Sequence, residues 1–394
     1  MLLSSGGFNR LRFLPFSRKI LNIFLKNRIK KIKNVADYQN EFESIVSKVV
    51  KNSINKFTVS GIENLDKDKG YLFISNHRDI TLDSALLNLA LHQNEFESIV
   101  SKVVKNSINK FTVSGIENLD KDKGYLFISN HRDITLDSAL LNLALHQNKF
   151  KTTYNAVGNN LLSEKWASDL MRLNKSFIID RSDKSKRDIY KSLNLASEFI
   201  SNAIKNKNES IWIAQKQGRS KDGNDFTDPS VIKMIHLNGR KKISIDEYLN
   251  NLNVIPVAIS YEKDPNDILK AQELFHTDLG QSYEKDRKED LKSIFEGIVG
   301  QKGDVNLIIG KKIIFNEDSY EYCSNQITNA IKDSYKLQST NYAAAIMQGK
   351  LNKNNFESPK INESIEYLNG RLKQIPKEME PYLLNQYSNP TIAK

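Results

Sequence analysis

The chain has 394 residues, a net charge of +11 and a hydrophobic share of 39%, which is enough for a sizeable core and excludes a disordered or fibrous protein. Its single cysteine, Cys323, excludes an intramolecular disulfide and a cysteine-based zinc site. The sequence contains no run of 18 apolar residues, so it predicts no membrane-spanning helix.

The positive charge is concentrated at the N-terminus. Residues 1–36 contain nine Lys and Arg and no Asp or Glu, so 11 − 9 leaves a net charge of +2 on the other 358 residues. Apolar side chains recur near a 3.6-residue period in residues 18–33, with basic residues between them, and this pattern predicts an amphipathic helix. Such a helix can lie on a membrane surface, or it can be a solvated tail or pack on the body. Nucleic acid is not an expected partner, because its binders more often spread basic residues over a folded face.

An exact repeat follows this basic segment. Glu41–Asn94 recurs unchanged as Glu95–Asn148, with a period of 54 residues. Solenoid repeats diverge and come in threes or more. Two identical copies instead indicate a recent tandem duplication, an engineered insertion or a sequence-assembly artefact. Without one unit 340 residues remain, which one large domain can accommodate.

Each repeat unit predicts a helix, two strands and a second helix. In the first copy the strands are Phe57–Ser60 and Tyr71–Ser75 and the second helix is Leu82–Leu91, and all three return 54 residues later. Strands and helices then alternate, which favours one α/β sheet with helices on both faces. The predicted strands are Thr152–Val157, Ser176–Asp180, Ser210–Ala214, Val254–Tyr261 and Val305–Ile309, the predicted helices are Leu162–Leu173 and Asp183–Lys205, and from Asp318 onward the pattern is helical.

One histidine lies where an α/β sheet places its ligands. His131, which repeats His77, follows the predicted strand Tyr125–Ser129 and precedes a helix, and ligands gather at the carboxyl ends of strands in open α/β sheets. Asp137, at the start of that helix, could orient the imidazole for general-base chemistry. It could equally cap a helix that begins at Ser138, with the histidine as a hydrogen-bonded loop residue.

Three further strings lie at or near the ends of predicted strands. Ile178-Ile179-Asp180-Arg181 ends one strand with a charged pair, and Gln217-Gly218-Arg219-Ser220 follows another. Arginine, serine and backbone N–H groups beside a glycine are good phosphate ligands. Asn253-Val254-Ile255-Pro256-Val257 places a proline within an apolar strand, which favours an edge, a strand start or a bulge.

In this order the four strings resemble the motifs of the glycerolipid acyltransferase family, which includes the glycerol-3-phosphate and 1-acylglycerol-3-phosphate acyltransferases. The resemblance extends over about residues 37–315, and its wider context is similar to a bacterial branch. It implies an α/β fold with a single mixed sheet flanked by helices, an N-terminal amphipathic helix and a helical C-terminal tail. The expected domains are a basic membrane-interface segment at 1–40, the duplicate copy at 41–94, the acyltransferase domain at 95–315 and a helical C-terminal region at 316–394.

The resemblance also implies a reaction. A fatty acyl group would move from acyl-CoA or acyl carrier protein to a hydroxyl of 1-acylglycerol-3-phosphate or glycerol-3-phosphate, in phospholipid synthesis. His131 would be the general base and Asp137 its partner, with Asp133 and the first-copy pair His77 and Asp83 as alternatives. No metal is expected, and no cofactor besides the acyl donor. The implied substrate-binding residues are Asn130, Arg132, Arg181, Gln217, Gly218, Arg219 and Ser220.

Two positions depart from the family pattern. Five residues separate His131 from Asp137 where the family has four, and four would select Leu136, which cannot replace a carboxylate. Gln217 stands where the family typically has Glu, so it keeps the shape and loses a charge. The alternative function is therefore a catalytically inactive, lipid-binding relative, disabled by Gln217 or by the duplication.

Because one sheet has one place for the repeated unit, only one copy can supply its strands and its histidine. The second copy is nearer in sequence to the downstream strands and closes shorter loops, which favours His131 and Asp137 over His77 and Asp83. The lipid product and the basic N-terminal segment together predict a peripheral protein on an anionic membrane surface, at the cytoplasmic face of the inner membrane.

Overall fold

The computed structural model describes residues 100–158, 175–179, 185–280, 289–356 and 358–392. All of them lie in the second of the two compact units of the chain, Phe96–Lys394. The predicted N-terminal amphipathic helix, the first repeat copy with His77 and Asp83, the helix predicted at 162–173 and Arg181 lie outside the described residues.

Seven strands in the described part of the chain form one mixed sheet. Their order is β1-β7-β6-β2-β5-β3-β4. β6 and β7 are antiparallel, and every other neighbouring pair is parallel. The strands are β1 (Lys110–Ser114), β2 (Leu126–Ser129), β3 (Tyr154–Gly158), β4 (Ser176–Ile179), β5 (Ile211–Ala214), β6 (Val254–Tyr261) and β7 (Asp304–Ile309).

Helices cover both faces of this sheet, which confirms the predicted fold class. They are α1 (Leu136–Gln147), α2 (Lys186–Lys207), α3 (Pro229–His236), α4 (Ile245–Asn250), α5 (Asp267–Asp278), α6 (Glu289–Val299), α7 (Tyr320–Ser334), α8 (Ser339–Met347), α9 (Pro359–Leu372) and α10 (Glu380–Ile392). Residues 100–107 are also helical. None of these helices combines the length and the apolar character that crossing a bilayer requires.

The central strands β2, β5 and β6 are apolar on both sides because both of their faces are buried. In β2, Leu126 and Ile128 pack with α2, α3, α4 and α7 on one face. Phe127 points the other way and packs with α1 and Val100. Successive side chains of a strand point to opposite faces, so a strand covered on both faces needs a continuous apolar run rather than alternation.

The second repeat copy occupies the sheet. β1, β2 and α1 all come from it, at the positions the sequence predicted. β2 lies between β5 and β6, and β1 lies at an edge beside β7. The pattern therefore placed these elements of the second copy correctly, and this copy supplies β1, β2 and α1 in the described part of the chain.

Pro256 lies in a central strand, which differs from the edge that a proline favours. β6 runs between β2 and β7. Its antiparallel pairing with β7 begins only at Val257, opposite Ile309, and the Pro256 carbonyl accepts from Gly310 N at 2.8 Å. The proline therefore lies near the start of β6 and at the end of the ladder with β7, where its missing N–H costs one bond at most.

The C-terminal region is helical, as expected. In α7, Cys323, Ile327 and Ile331 pack into the core on one face of the sheet. α8, α9 and α10 form a third apolar cluster with α5. The boundary expected at 315/316 remains a prediction, although α7 beyond it shares the core of the sheet.

Candidate functional site

A buried carboxylate organises the loop between β2 and α1. Asp137 lies in the first turn of α1 and is fully buried. Its Oδ2 accepts from Arg132 N at 2.6 Å and from Asp133 N at 3.0 Å. The same oxygen lies 2.8 Å from His131 Nδ1, and Oδ1 accepts from the Tyr261 hydroxyl at 2.8 Å. The carboxylate thus folds the loop back on itself and fixes one ring nitrogen of the histidine.

The His131 ring has one engaged nitrogen and one available nitrogen. The Asp137 carboxylate is an acceptor with three other donors, so it also accepts the proton of His131 Nδ1. The lone pair of the imidazole is therefore on Nε2. Nε2 has no hydrogen-bond partner among the described residues, and 14% of the side chain is exposed. The ring meets Trp212 edge-on, with centroids 5.8 Å apart. This geometry allows Nε2 to accept a proton from a bound molecule.

Asp133, the alternative partner considered for His131, bonds the first turn of α1 instead. Its Oδ1 accepts from Thr135 N at 2.9 Å and from Leu136 N at 2.8 Å, so it caps α1. Burial raises the pKa of the Asp133 carboxyl, and the charge of Asp137 raises it further. The helix begins at Leu136 rather than Ser138, so the capping role considered for Asp137 belongs to Asp133.

The loop after β5 meets the histidine loop directly. Ser220 N donates to the His131 carbonyl at 2.7 Å. Arg219 is buried, and its Nη2 donates to Ser293 Oγ of α6 at 3.1 Å. Gln217 and Gly218 are exposed, and Gly218 has a φ of +74° that favours glycine. The first and third strings, distant in sequence, therefore form one site.

α6 approaches this loop closely because of a glycine. A Cβ on Gly297 would lie 2.3 Å from Asp133 Oδ2. A side chain there would push α6 away and separate Ser293 from Arg219. The loop capped by Asp133 and the guanidinium of Arg219 therefore share one packing surface.

Asn130 and Arg132 both face inward. The Asn130 amide exchanges two hydrogen bonds with the Ile259 backbone, at 2.9 and 2.8 Å, and so continues the ladder between β2 and β6. Arg132 Nη2 donates to Asp225 Oδ2 at 2.6 Å, and the guanidinium lies over the Tyr335 ring. Burial alone would lower the pKa of Arg132, but Asp225 and then Tyr335 outweigh it and hold that pKa above its ordinary value.

Comparison with known proteins identifies the domain that these loops belong to. Residues 110–259 match the family model described as Acyltransferase. This part of the chain is similar to an acyltransferase domain. The match confirms the family resemblance that the four sequence strings carry.

The solved structures that are similar to this chain include that of an acyltransferase. It is the crystal structure of the 1-acyl-sn-glycerophosphate (LPA) acyltransferase PlsC from Thermotoga maritima, with 16% sequence identity and a TM-score of 0.38. The similarity covers 64% of this chain and 80% of that chain. No curated protein matches.

A second buried ion pair contacts the backbone of the histidine loop. Lys270 Nζ donates to the Arg132 carbonyl at 2.7 Å and pairs with Asp264. Burial lowers the pKa of Lys270. Burial would raise the pKa of Asp264, but the Lys270 charge outweighs it, so that pKa is lowered. The ammonium therefore holds the backbone of the histidine loop in place.

Sequence reasoning missed several residues of the acyltransferase site. Tyr261 and Lys270 were given no role, although Tyr261 ends an apolar strand at the edge where ligands gather. Asp225, in the polar loop after β5, was also given no role. Trp212 was assigned to a strand, and its Nε1 donates to Ser129 Oγ at 2.9 Å beneath the histidine. Arg181, expected to bind substrate, lies outside the described residues.

The buried pair of Arg132 and Asp225 gives a stability prediction. Asp225→Asn removes the charge that compensates a buried guanidinium, and we expect the free energy of unfolding to fall by about 3–5 kcal/mol. Urea unfolding measures it. Lys151→Ala is the control, because the pair of Lys151 and Glu209 is largely exposed and should contribute less than about 1 kcal/mol. Equal effects of the two substitutions would contradict the structural role of Asp225.

Proposed function

We propose that this protein transfers a fatty acyl group from acyl-CoA or acyl carrier protein to a hydroxyl of 1-acylglycerol-3-phosphate, or of glycerol-3-phosphate, in phospholipid synthesis. The observation that carries the proposal is the 2.8 Å contact between His131 Nδ1 and Asp137 Oδ2 at the carboxyl end of β2. An acyltransferase without a covalent intermediate needs one positioned base, and this pair supplies it.

The proposed reaction is direct transfer. His131 Nε2 takes the proton of the acceptor hydroxyl as its oxygen forms a bond to the thioester carbonyl carbon. The carbon–sulfur bond then breaks, and the departing thiolate takes the proton from the imidazolium. Asp137 holds the ring orientation and stabilises the imidazolium while it exists. The acyl donor is a co-substrate, and the proposal includes no metal and no other cofactor.

The acceptor phosphate is assigned to the loop after β5 and to Arg181. Arg219 brings a positive charge to this loop, and Ser220 ties the loop to the backbone of His131. Gly218 exposes its backbone there. Asn130 and Arg132 would act on the substrate indirectly, because both bond to protein groups and hold the loop that carries His131.

Substitution of the two copies of the histidine tests the catalytic assignment. His131→Ala removes the proposed base, and we expect turnover of acyl-CoA with 1-acylglycerol-3-phosphate to fall by about 10²–10⁴-fold. His77→Ala is the matched control, because it changes the identical sequence context in the first copy. Loss of turnover in His77→Ala with His131→Ala unaffected would reverse the assignment.

The glutamine of the third string separates the active enzyme from the alternative of an inactive lipid-binding relative. Gln217 retains an amide that can bind a hydroxyl, so we expect the wild-type protein to catalyse acyl transfer. Gln217→Glu should change the KM for the acceptor by less than about tenfold, the effect of one ordinary hydrogen bond of about 1 kcal/mol. If the wild-type protein has no acyltransferase activity and Gln217→Glu gains it, the protein is the inactive lipid-binding relative. Steady-state assays with 1-acylglycerol-3-phosphate and glycerol-3-phosphate also distinguish the two acceptors.

The basic N-terminal segment is assigned to a membrane surface. A Lys or Arg near an anionic bilayer contributes about 1 kcal/mol, and residues 1–36 carry nine of them. We propose a peripheral enzyme at the cytoplasmic face of the inner membrane. Deletion of residues 1–36 should abolish sedimentation with vesicles of phosphatidylglycerol and phosphatidylcholine, while vesicles of phosphatidylcholine alone serve as the control. Undiminished binding after the deletion would refute the membrane assignment.

A further inference from the structure

Tyr261 reaches the site because its strand is longer than its neighbour. β6 pairs with β2 only as far as Val257, whereas its pairing with β7 continues to Tyr261, opposite Val305. The strand thereby extends past the end of β2 to the first turn of α1. There the Tyr261 hydroxyl donates to Asp137 Oδ1 at 2.8 Å, and the residue is buried.

The donors around Asp137 are divided unequally between its two oxygens. His131 Nδ1 and the backbone N–H groups of Arg132 and Asp133 all meet Oδ2. Among the described residues, the Tyr261 hydroxyl is the one donor found on Oδ1. A partial rotation of the carboxylate plane about the Cβ–Cγ bond would lengthen this contact, so the hydroxyl resists that rotation and helps to hold Oδ2 towards the histidine.

We propose that Tyr261 is a positioning residue for the pair of His131 and Asp137. Its hydroxyl holds the carboxylate in the one orientation that keeps the imidazole proton on Nδ1 and the lone pair on Nε2. The inference rests on the proposed function, and it deepens that function by adding a residue that acts through Asp137 without contact with substrate.

The hydroxyl is suited to this role because it remains a donor. Burial raises the pKa of Tyr261 well above its ordinary value, and the negative charges of Asp137 and Asp133 raise it further. A phenol that stays protonated can only support the carboxylate, and it adds no competing charge beside the histidine. A phenylalanine would fill the same volume and lose only the donor.

The ring tautomer of His131 is the measurement that a purely structural role would leave unchanged. Nitrogen-15 chemical shifts distinguish the Nδ1–H tautomer from the Nε2–H tautomer, and the His131 signals are assigned by their absence in His131→Gln. In Tyr261→Phe we expect the Nδ1–H fraction to fall. We also expect kcat to fall about three- to tenfold, a part of what a positioned base contributes, with KM within about twofold of wild type.

Tyr248→Phe is the matched control. Tyr248 is also a buried tyrosine, and its hydroxyl has no hydrogen-bond partner in the described structure. Its loss should leave the His131 tautomer and kcat as in wild type. An unchanged tautomer in Tyr261→Phe, or the same change in both variants, would overturn the proposal.

The tautomer measurement is independent of turnover, so the two proposals can fail separately. Absence of acyl transfer in the wild type would refute the proposed function and leave the role of Tyr261 to be decided by the nitrogen shifts. If Tyr261→Phe does not fold, 3-fluorotyrosine at position 261 replaces it. The fluorine resonance should shift when Asp137→Asn removes the acceptor charge, and an unmoved resonance would overturn the contact and the proposal.

Discussion

Asp137 has no contact with solvent, and a carboxylate taken out of water without donors costs several kcal/mol. The chain meets this requirement from two directions. The loop after β2 folds back to supply two backbone N–H groups and His131 Nδ1, and the extended end of β6 supplies the Tyr261 hydroxyl. The path of the loop, the direction of the imidazole and the length of β6 are therefore consequences of satisfying one buried group.

Buried ion pairs extend this constraint to the C-terminal helices. Arg132 pairs with Asp225, Lys270 pairs with Asp264, and Arg371 of α9 pairs with the buried Asp267 of α5. Removing one partner of such a pair costs more than forming the pair gains, so these pairs act mainly by penalising other arrangements. The loop between them fits closely: Gly223 has a φ of +81°, and a Cβ there would lie 2.4 Å from the Gln386 carbonyl oxygen of α10. The C-terminal helices thus help to fix the loops of the acyltransferase domain.

The sequence was sufficient to predict the strands, because most of them are apolar runs that contain Ile or Val and lie between polar turns. It also predicted the pairing of His131 with Asp137, since the two are close in sequence at the carboxyl end of a strand. The pattern did not show that Asp133, rather than Asp137, caps α1, because that depends on whether α1 begins at Leu136 or Ser138. The contacts of Tyr261 and Asp225 with this loop join segments far apart in the chain, and no local pattern encodes them. Pro256 was expected at an edge, a strand start or a bulge, because pattern alone does not show where the ladder with β7 begins.

Because the two copies are identical, the length of the connecting loops, and not the side-chain contacts, decides which copy lies in the sheet. Both copies carry the same residues, so either would make the same contacts in the position between β5 and β6. If the first copy held that position, the second would become a loop between α1 and β3, and closing a flexible loop of that length costs about 3.5 kcal/mol. With the second copy in place, α1 and β3 are joined by residues 148–153 alone, and Thr153 bonds Asn142 of α1. A free-energy difference of this size favours the second copy in the position between β5 and β6, which it occupies in the described part of the chain.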